Sequence, residues 1–371
     1  VDLLDVGRIL LGLVLLVGGG ELLVRGASAL ARRVGLSPLV VGLTVVSVAT
    51  SAPELAVTVG ATLDGQPDLA VGNVVGSNIA NVLFILGISA LVLPLSVREQ
   101  LVRLDVPVLV LLSGLLLVLA LDGSISTGEG ILLLVLVVAH TVLTILVSRR
   151  RDRGVADEGT DPEATAPTPP SFLVSVVLIV VGVGLLVVGA DQLVTGAVSI
   201  ASALGVSGLV VGLTVVALGT SLPELAASVI AALRGERDIA VGNVVGSCIV
   251  NIGLVLGVPA LMSEGGLPVP SAAIALDIPL MIAAAVALLP VVLTNFTVAR
   301  WEGGMFVLLY AAYVGYVVLD AINHDALEGF TFVMALFVLP LVAISLVATV
   351  AFEVGVHRGR QEAGADRSSE G

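Results

Sequence analysis

Lysine is absent from the 371 residues, cysteine occurs once, and charged residues make up only 12% of the chain. A soluble globular chain carries about 25% charge. With 57% hydrophobic residues and a mean hydropathy of +1.16, both a water-soluble domain of this size and a disordered chain are excluded. Aromatic residues at 3% exclude a membrane β-barrel, which needs aromatic girdles and alternating strands. A net charge of −13 without a basic stripe excludes a nucleic-acid partner. Cys248 alone permits neither an intrachain disulfide nor a cysteine metal cluster. His140, His324 and His357 show no metal-ligand spacing, and no HExxH, GxGD or P-loop is present. The chain is therefore not read as an enzyme, and no cofactor is expected. What it has instead is Leu, Val, Ala and Gly in runs of about 20, the length of a bilayer-spanning helix.

Apolar runs set against charged punctuation predict eleven helices, near 6–33, 38–64, 69–95, 103–121, 127–148, 171–203, 208–233, 239–263, 270–294, 301–321 and 329–354. The first run is long enough to remain in the membrane, and no separate cleavable leader is expected. Residues 149–170 read as a flexible linker: four arginines (Arg149, Arg150, Arg151, Arg153) lead into an acidic, proline-rich stretch ending at Pro169 and Pro170. The halves are then 1–148 and 171–321, followed by an extra helix at 329–354 and a polar tail at 355–371. With the N-terminus outside, fifteen of the sixteen arginines fall inside and only Arg8 falls outside, a strong positive-inside bias. That orientation puts the linker and the C-terminus in the cytoplasm of a cell carrying this protein in its plasma membrane.

Shifted by 170 residues, the chain matches itself. Gly35 to Leu91 against Gly205 to Leu261 gives 35 identities in 57 positions without a gap. The strongest matches are Thr50-Ser51-Ala52-Pro53-Glu54-Leu55 with Thr220-Ser221-Leu222-Pro223-Glu224-Leu225, and Gly72-Asn73 through Ser77 with Gly242-Asn243 through Ser247. Five helices per half is an odd number, so the second copy enters the membrane from the opposite side. The expected fold is an all-α polytopic membrane protein of two inverted five-helix repeats plus a C-terminal helix, an architecture that places a shared site near the midplane.

Glu54 and Glu224 sit deep inside such runs, where a carboxylate costs about 2.5–3.5 kcal/mol. Neither has a basic residue within a turn on its own helix, so a bound cation is the natural partner. Pro53 and Pro223 cannot bond the carbonyls of Ala49 and Gly219, and Thr50, Ser51, Thr220 and Ser221 add hydroxyls there. Ser77 and Asn81, with Ser247 and Asn251, add neutral oxygens four residues apart on one helical face. Gly76 and Gly246 are expected to let those helices approach closely. An all-oxygen cage with two carboxylates suits hard cations such as Ca²⁺ and Na⁺, not Zn²⁺ or Cu²⁺.

Blander readings stand beside these. Ser51 with Glu54, and Ser221 with Glu224, also spell the S-x-x-E capping box. Asn73 and Asn243 read as helix caps or as supports behind the cage. Glu21 and Asp191 read as structural or gating residues, Glu21 pairing with Arg25, while Asp105 and Asp277 read as helix caps and Cys248 as packing. Gly205-Val206-Ser207-Gly208 matches the GxSG of an intramembrane serine protease, but Ser207, like its repeat mate Ser37, opens a helix as an N-cap.

The paired T-S-x-P-E-L and G-N-x-x-G-S segments resemble the α-repeats of the cation/Ca²⁺ antiporter superfamily, most closely its microbial Na⁺/Ca²⁺ exchanger branch. The resemblance covers about residues 6–321. It implies that Glu54 and Glu224 are central shared ligands, that Thr50, Ser51, Ser77, Asn81, Thr220, Ser221, Ser247 and Asn251 complete the calcium and sodium sites, and that the carbonyls of Ser47 and Ala217 contribute. It implies transport of Ca²⁺ and Na⁺ by a protein that needs only the lipid bilayer as partner and acts as a monomer. In its proton-coupled branch the second motif resembles G-N-x-x-E-L instead; H⁺/Ca²⁺ exchange is the alternative, and a channel a more distant one. One departure is Asn251, where such exchangers commonly carry Asp, so that both halves here present Asn.

Overall fold

In the computed structural model, the structure describes residues 2–156, 171–293, 296–347 and 351. Among these the regular secondary structure is helical except for four two-residue strands. The first half comprises α1 (Leu3–Val34), α2 (Pro38–Thr50), α3 (Ala52–Leu63), α4 (Pro67–Val92), α5 (Leu101–Ala120) and α6 (Thr127–Ala156). The second half repeats it as α7 (Phe172–Ala203), α8 (208–219), α9 (Leu222–Leu233), α10 (Arg237–Met262), α11 (Ala273–Leu293) and α12 (Arg300–Ala321), with α13 (Ala326–Val347) following. Nine of the described helices are long and apolar enough to cross a membrane, and α2 with α3, bent by 42°, forms one further broken span.

Two expected spans are therefore interrupted. The 38–64 run breaks at Ser51 (φ −79°, ψ 4°) and the 208–233 run at Ser221 (φ −90°, ψ 3°), because the prolines at 53 and 223 admit only the first turn of a new helix. The arginines at 149–153 continue α6 to Ala156 instead of opening the linker; residues 157–170 and the tail lie outside the described residues.

The antiparallel relation of the halves is visible atom by atom. A Cβ built on Gly12 lies 2.7 Å from the Gly189 carbonyl oxygen, and one on Gly19 lies 2.7 Å from the Gly182 oxygen. Gly26 meets Ser175 and Ile179, and Gly196 meets Asp5 and Ile9. Since 12 corresponds to 182 and 19 to 189, residue i of one repeat touches the mate of j while j touches the mate of i, the signature of a two-fold axis. Glycines every seven residues on α1 and α7 bring these backbones together. The short strands obey the same rule: β1 (Leu95–Ser96) pairs with β4 (Thr297–Val298), and β2 (Ser124–Ile125) with β3 (Leu267–Pro268), each across the halves.

At the centre lie α4 and α10, with 78% and 83% of their apolar windows buried; α13 has 6% buried and sits at the edge. Helices α2 and α8 open with four α-helical residues and pass into π turns at Gly42–Val46 and Gly212–Val216, and α4 and α10 carry π turns at Ala80–Ile85 and Asn251–Val255. Such wide turns re-aim side chains and recur at functional sites.

The two-fold is broken in how these helices pack. A Cβ on Gly42 meets Ile239 (2.9 Å to its oxygen), one on Gly242 meets Leu39 (2.8 Å), and one on Gly246 meets Leu43 (2.6 Å) and the Ser47 hydroxyl (2.8 Å), whereas their mates Gly212, Gly72 and Gly76 meet nothing within 4 Å. The close approach expected of both Gly76 and Gly246 occurs only at Gly246. Helix α2 is thus sealed against α10, while α8 stands off from α4. The sealed end is the one nearer the linker, where the C-terminal end of α1 meets the start of α7.

Candidate ion site

The four elements that bear the T-S-x-P-E-L and G-N-x-x-G-S segments converge in the buried centre. Glu54, Thr50, Asn81, Ser247, Glu224 and Asn251 are all within 3% of full burial, as are Ser51, Ser77 and Ser221; Thr220 is half-buried. Ser221 Oγ donates to Glu54 Oε1 (3.4 Å) and lies 3.3 Å from Ser77 Oγ. Glu224 lies near enough to Glu54 for the two charges to interact. The Glu54 carboxylate is thus met by a serine of the other half, so neither repeat completes the site alone.

What the centre leaves unsatisfied is as telling. Eleven buried side-chain nitrogen or oxygen atoms among the described residues have no hydrogen-bond partner, and eight of them belong to six of these residues: Ser51 Oγ, Glu54 Oε2, both amide atoms of Asn81, both carboxylate oxygens of Glu224, Ser247 Oγ and Asn251 Oδ1. A protein core leaves such groups unpaired only rarely, each at a cost of about 1–3 kcal/mol. No grouping of three or more His, Cys, Asp or Glu is present among the described residues, so the donor set is two carboxylates among neutral oxygens. This set matches a hard cation and not a thiolate or imidazole metal.

The capping-box alternative fails. Neither Ser51 nor Ser221 makes a side-chain cap; the Ser221 hydroxyl turns to the opposite half and the Ser51 hydroxyl is left without a partner. Asn73 and Asn243 are not caps either. Asn73 Nδ2 donates to the Glu54 carbonyl (3.2 Å) and Thr58 Oγ1 (3.0 Å), and Asn243 Nδ2 donates to the Glu224 carbonyl (3.4 Å) and Ser228 Oγ (3.0 Å). Their Oδ1 atoms accept from the other half, Asn73 from Thr220 (3.4 Å) and Asn243 from Thr50 (3.1 Å). Each asparagine thus ties the backbone of one glutamate to the threonine of the opposite repeat. The carbonyl of Ser47 accepts the Ser51 N–H (2.9 Å), whereas the Ser221 N–H turns to Leu218 (3.1 Å) and bypasses Ala217.

Sequence reasoning missed Thr58 and Ser228, which are mates at a shift of 170 and were legible as such. Two other expectations change. Asp105 does not cap a helix: it is buried against His140 Nε2 (2.9 Å) and Thr144 Oγ1 (3.1 Å), and Asp277 accepts from Tyr313 (3.5 Å). Glu21 pairs with Arg25 as expected and also with Arg234, clasping α1 to the end of α9. Ser28 donates to Glu236 (2.8 Å) beside that clasp. Asp191, the mate of Glu21, instead lines a cavity of about 210 Å³ with Pro53, Gly219, Thr220 and Pro223, at the loosely packed side of the site.

Comparison with known proteins agrees with this geometry. The family described as "Sodium/calcium exchanger protein" matches residues 4–146 and again 174–319. Inner membrane protein YrbG of Escherichia coli (strain K12) is 38% identical over 264 residues, covering 71% of this chain and 81% of its own. Sodium/calcium exchanger MaX1 of Methanosarcina acetivorans is 32% identical over 338 residues, covering 82% and 96%. Structures of the sodium-calcium exchanger NCX_Mj superpose with a TM-score of 0.70 at 33% identity, over 85% of this chain and 99% of that one; they include crystals soaked with Na⁺ and Sr²⁺ and with Na⁺ and Ca²⁺. With both halves matched by one family and the fold shared with a solved exchanger, the chain is a multi-pass membrane transporter, a cation/Ca²⁺ exchanger belonging to the sodium/calcium exchanger family.

Proposed function

We propose that the protein exports Ca²⁺ in exchange for inward Na⁺, by alternating access to one site built on Glu54 and Glu224. The observation that carries this is the cluster of eight unpartnered buried polar atoms around two carboxylates. The two glutamates together balance one Ca²⁺ or two Na⁺. Because both cargoes need the same two charges, occupancy by one excludes the other, and that competition couples the fluxes. Thr50, Ser51, Ser77, Asn81 and the carbonyl of Ser47, with Thr220, Ser221, Ser247, Asn251 and the carbonyl of Ala217, replace the hydration shell of the cargo.

The broken symmetry supplies the access step. Inverted repeats can exchange conformations, so the tight α2–α10 seam and the loose α8–α4 seam are two settings of one joint. With the N-terminus and the 201–208 end outside and the linker and C-terminus in the cytoplasm, as the arginine distribution supports, the described state is sealed toward the cytoplasm and opens toward the exterior through the Asp191-lined cavity. Exchange of settings turns the site inward.

The test is Ca²⁺ uptake into proteoliposomes under an outward gradient of Na⁺, of K⁺ or of H⁺. Uptake driven by Na⁺ is expected; uptake driven by the proton gradient alone sinks the sodium reading in favour of H⁺/Ca²⁺ exchange.

A further inference from the structure

Asn78 lies on α4 at the point where the two-fold axis passes, because its mate is Cys248 and the two residues touch: Cys248 Sγ approaches the Asn78 carbonyl at 3.8 Å. Asn78 is buried, and its Nδ2 donates to the Cys248 backbone carbonyl (3.2 Å) and approaches Met281 Sδ (3.5 Å). A backbone carbonyl can only accept, so the Asn78 amide nitrogen must face it and the Asn78 oxygen must point the other way. That oxygen accepts Asn251 Nδ2 at 3.1 Å. The same logic then fixes the second amide: with its NH₂ taken by Asn78, Asn251 turns its Oδ1 outward, buried and without a partner. On the other side of the axis Cys248 offers no amide, and both amide atoms of Asn81 lack a partner.

We propose that Asn78 is a positioning residue that locks the Asn251 amide with its oxygen, and not its NH₂, toward the cargo. The relay runs from the Cys248 carbonyl through Asn78 to Asn251, and it exists in one half only. The Asn251 corner is therefore a fixed neutral oxygen donor suited to a monovalent cation, while no such relay reaches the Asn81 amide. This rests on the sodium-exchange reading above.

The test is a double-mutant cycle read as the Na⁺ concentration giving half-maximal Na⁺-driven Ca²⁺ flux in proteoliposomes. Asn78→Ala removes the lock, and loss of one neutral hydrogen bond of about 1 kcal/mol predicts a rise of roughly fivefold in half-saturating Na⁺. In an Asn251→Ser background the same Asn78→Ala change is expected to move it by less than about twofold, because a hydroxyl oxygen accepts in any rotation and no amide is left to orient. Asn78→Cys, which copies the side chain already packed at the mate position, serves as the second variant if Asn78→Ala does not insert. An unchanged sodium dependence in the parent background, or an equal shift in both backgrounds, overturns the orienting role and leaves exchange itself standing. A parent that shows no Na⁺-driven uptake overturns the exchanger reading and this role with it.

Discussion

At the scale of single residues, the centre of this protein is defined by charge without local compensation. Two glutamates sit fully buried with three of their four carboxylate oxygens unpartnered. Glu54→Gln and Glu224→Gln keep shape and remove charge. Each is expected to insert and fold as the parent does and to lower Ca²⁺ flux by at least about tenfold, the equivalent of one lost charged contact of ~1.5–3 kcal/mol. Proteoliposome uptake beside a thermal melt in detergent separates the two effects, and normal transport by either variant refutes the paired-carboxylate cage. Asn251→Asp adds a third carboxylate beside that pair. Three negative charges exceed what one Ca²⁺ or two Na⁺ cancel, so the excess is relieved by taking up a proton. The variant is expected to lose more of its flux at mildly acidic pH than the parent, whose residue 251 does not titrate; superimposable pH profiles would place residue 251 outside the cage. These residues were legible because they occur twice. The capping box at Ser51 and Ser221 was equally legible and is not used: Ser221 finds a partner across the interface and Ser51 is left open at the site.

At the scale of elements, the run lengths gave the spans, but not the breaks at Ser51 and Ser221 or the π turns beside them. Hydropathy averages over some twenty residues and does not register a single released hydrogen bond. The packing asymmetry supplies a paired test. A methyl group at Gly246 collides with Leu43 backbone atoms at 2.6–2.7 Å, so Gly246→Ala is expected to lower stability by about 1–3 kcal/mol through overpacking, read as an earlier thermal transition. Gly76→Ala meets open space in this state. It is expected to leave the thermal transition in place and to slow exchange, because the alternate setting requires α4 to close on α8 at that position. Equal turnover in the parent and Gly76→Ala would show that the seams do not swap.

At the scale of the whole molecule, the helix α13 lies beyond both family-matched segments and is largely exposed. Truncation after residue 321 is therefore expected to leave insertion and Na⁺-driven Ca²⁺ flux intact; loss of flux in a stably inserted truncation would make that helix part of the transport unit. The acidic, buried Asp105 with His140 shows the opposite limit of local reading: a residue 35 positions away supplies the partner, and nothing in either segment announces it.

The sequence by itself determined the membrane environment, the duplication and the identity of the paired polar residues. Each follows from composition or from comparison of the chain with itself, and none requires knowing which residues touch. Only the tertiary structure decided that a serine of the second half meets the Glu54 carboxylate, that Asn73 and Asn243 brace the glutamate backbones, that Arg234 clasps Glu21, and that one seam is closed while its mate is open. Two halves 61% identical over 57 positions encode nearly the same local preferences. The difference between them therefore arises from packing, where a glycine has a backbone against it in one half and empty space in the other.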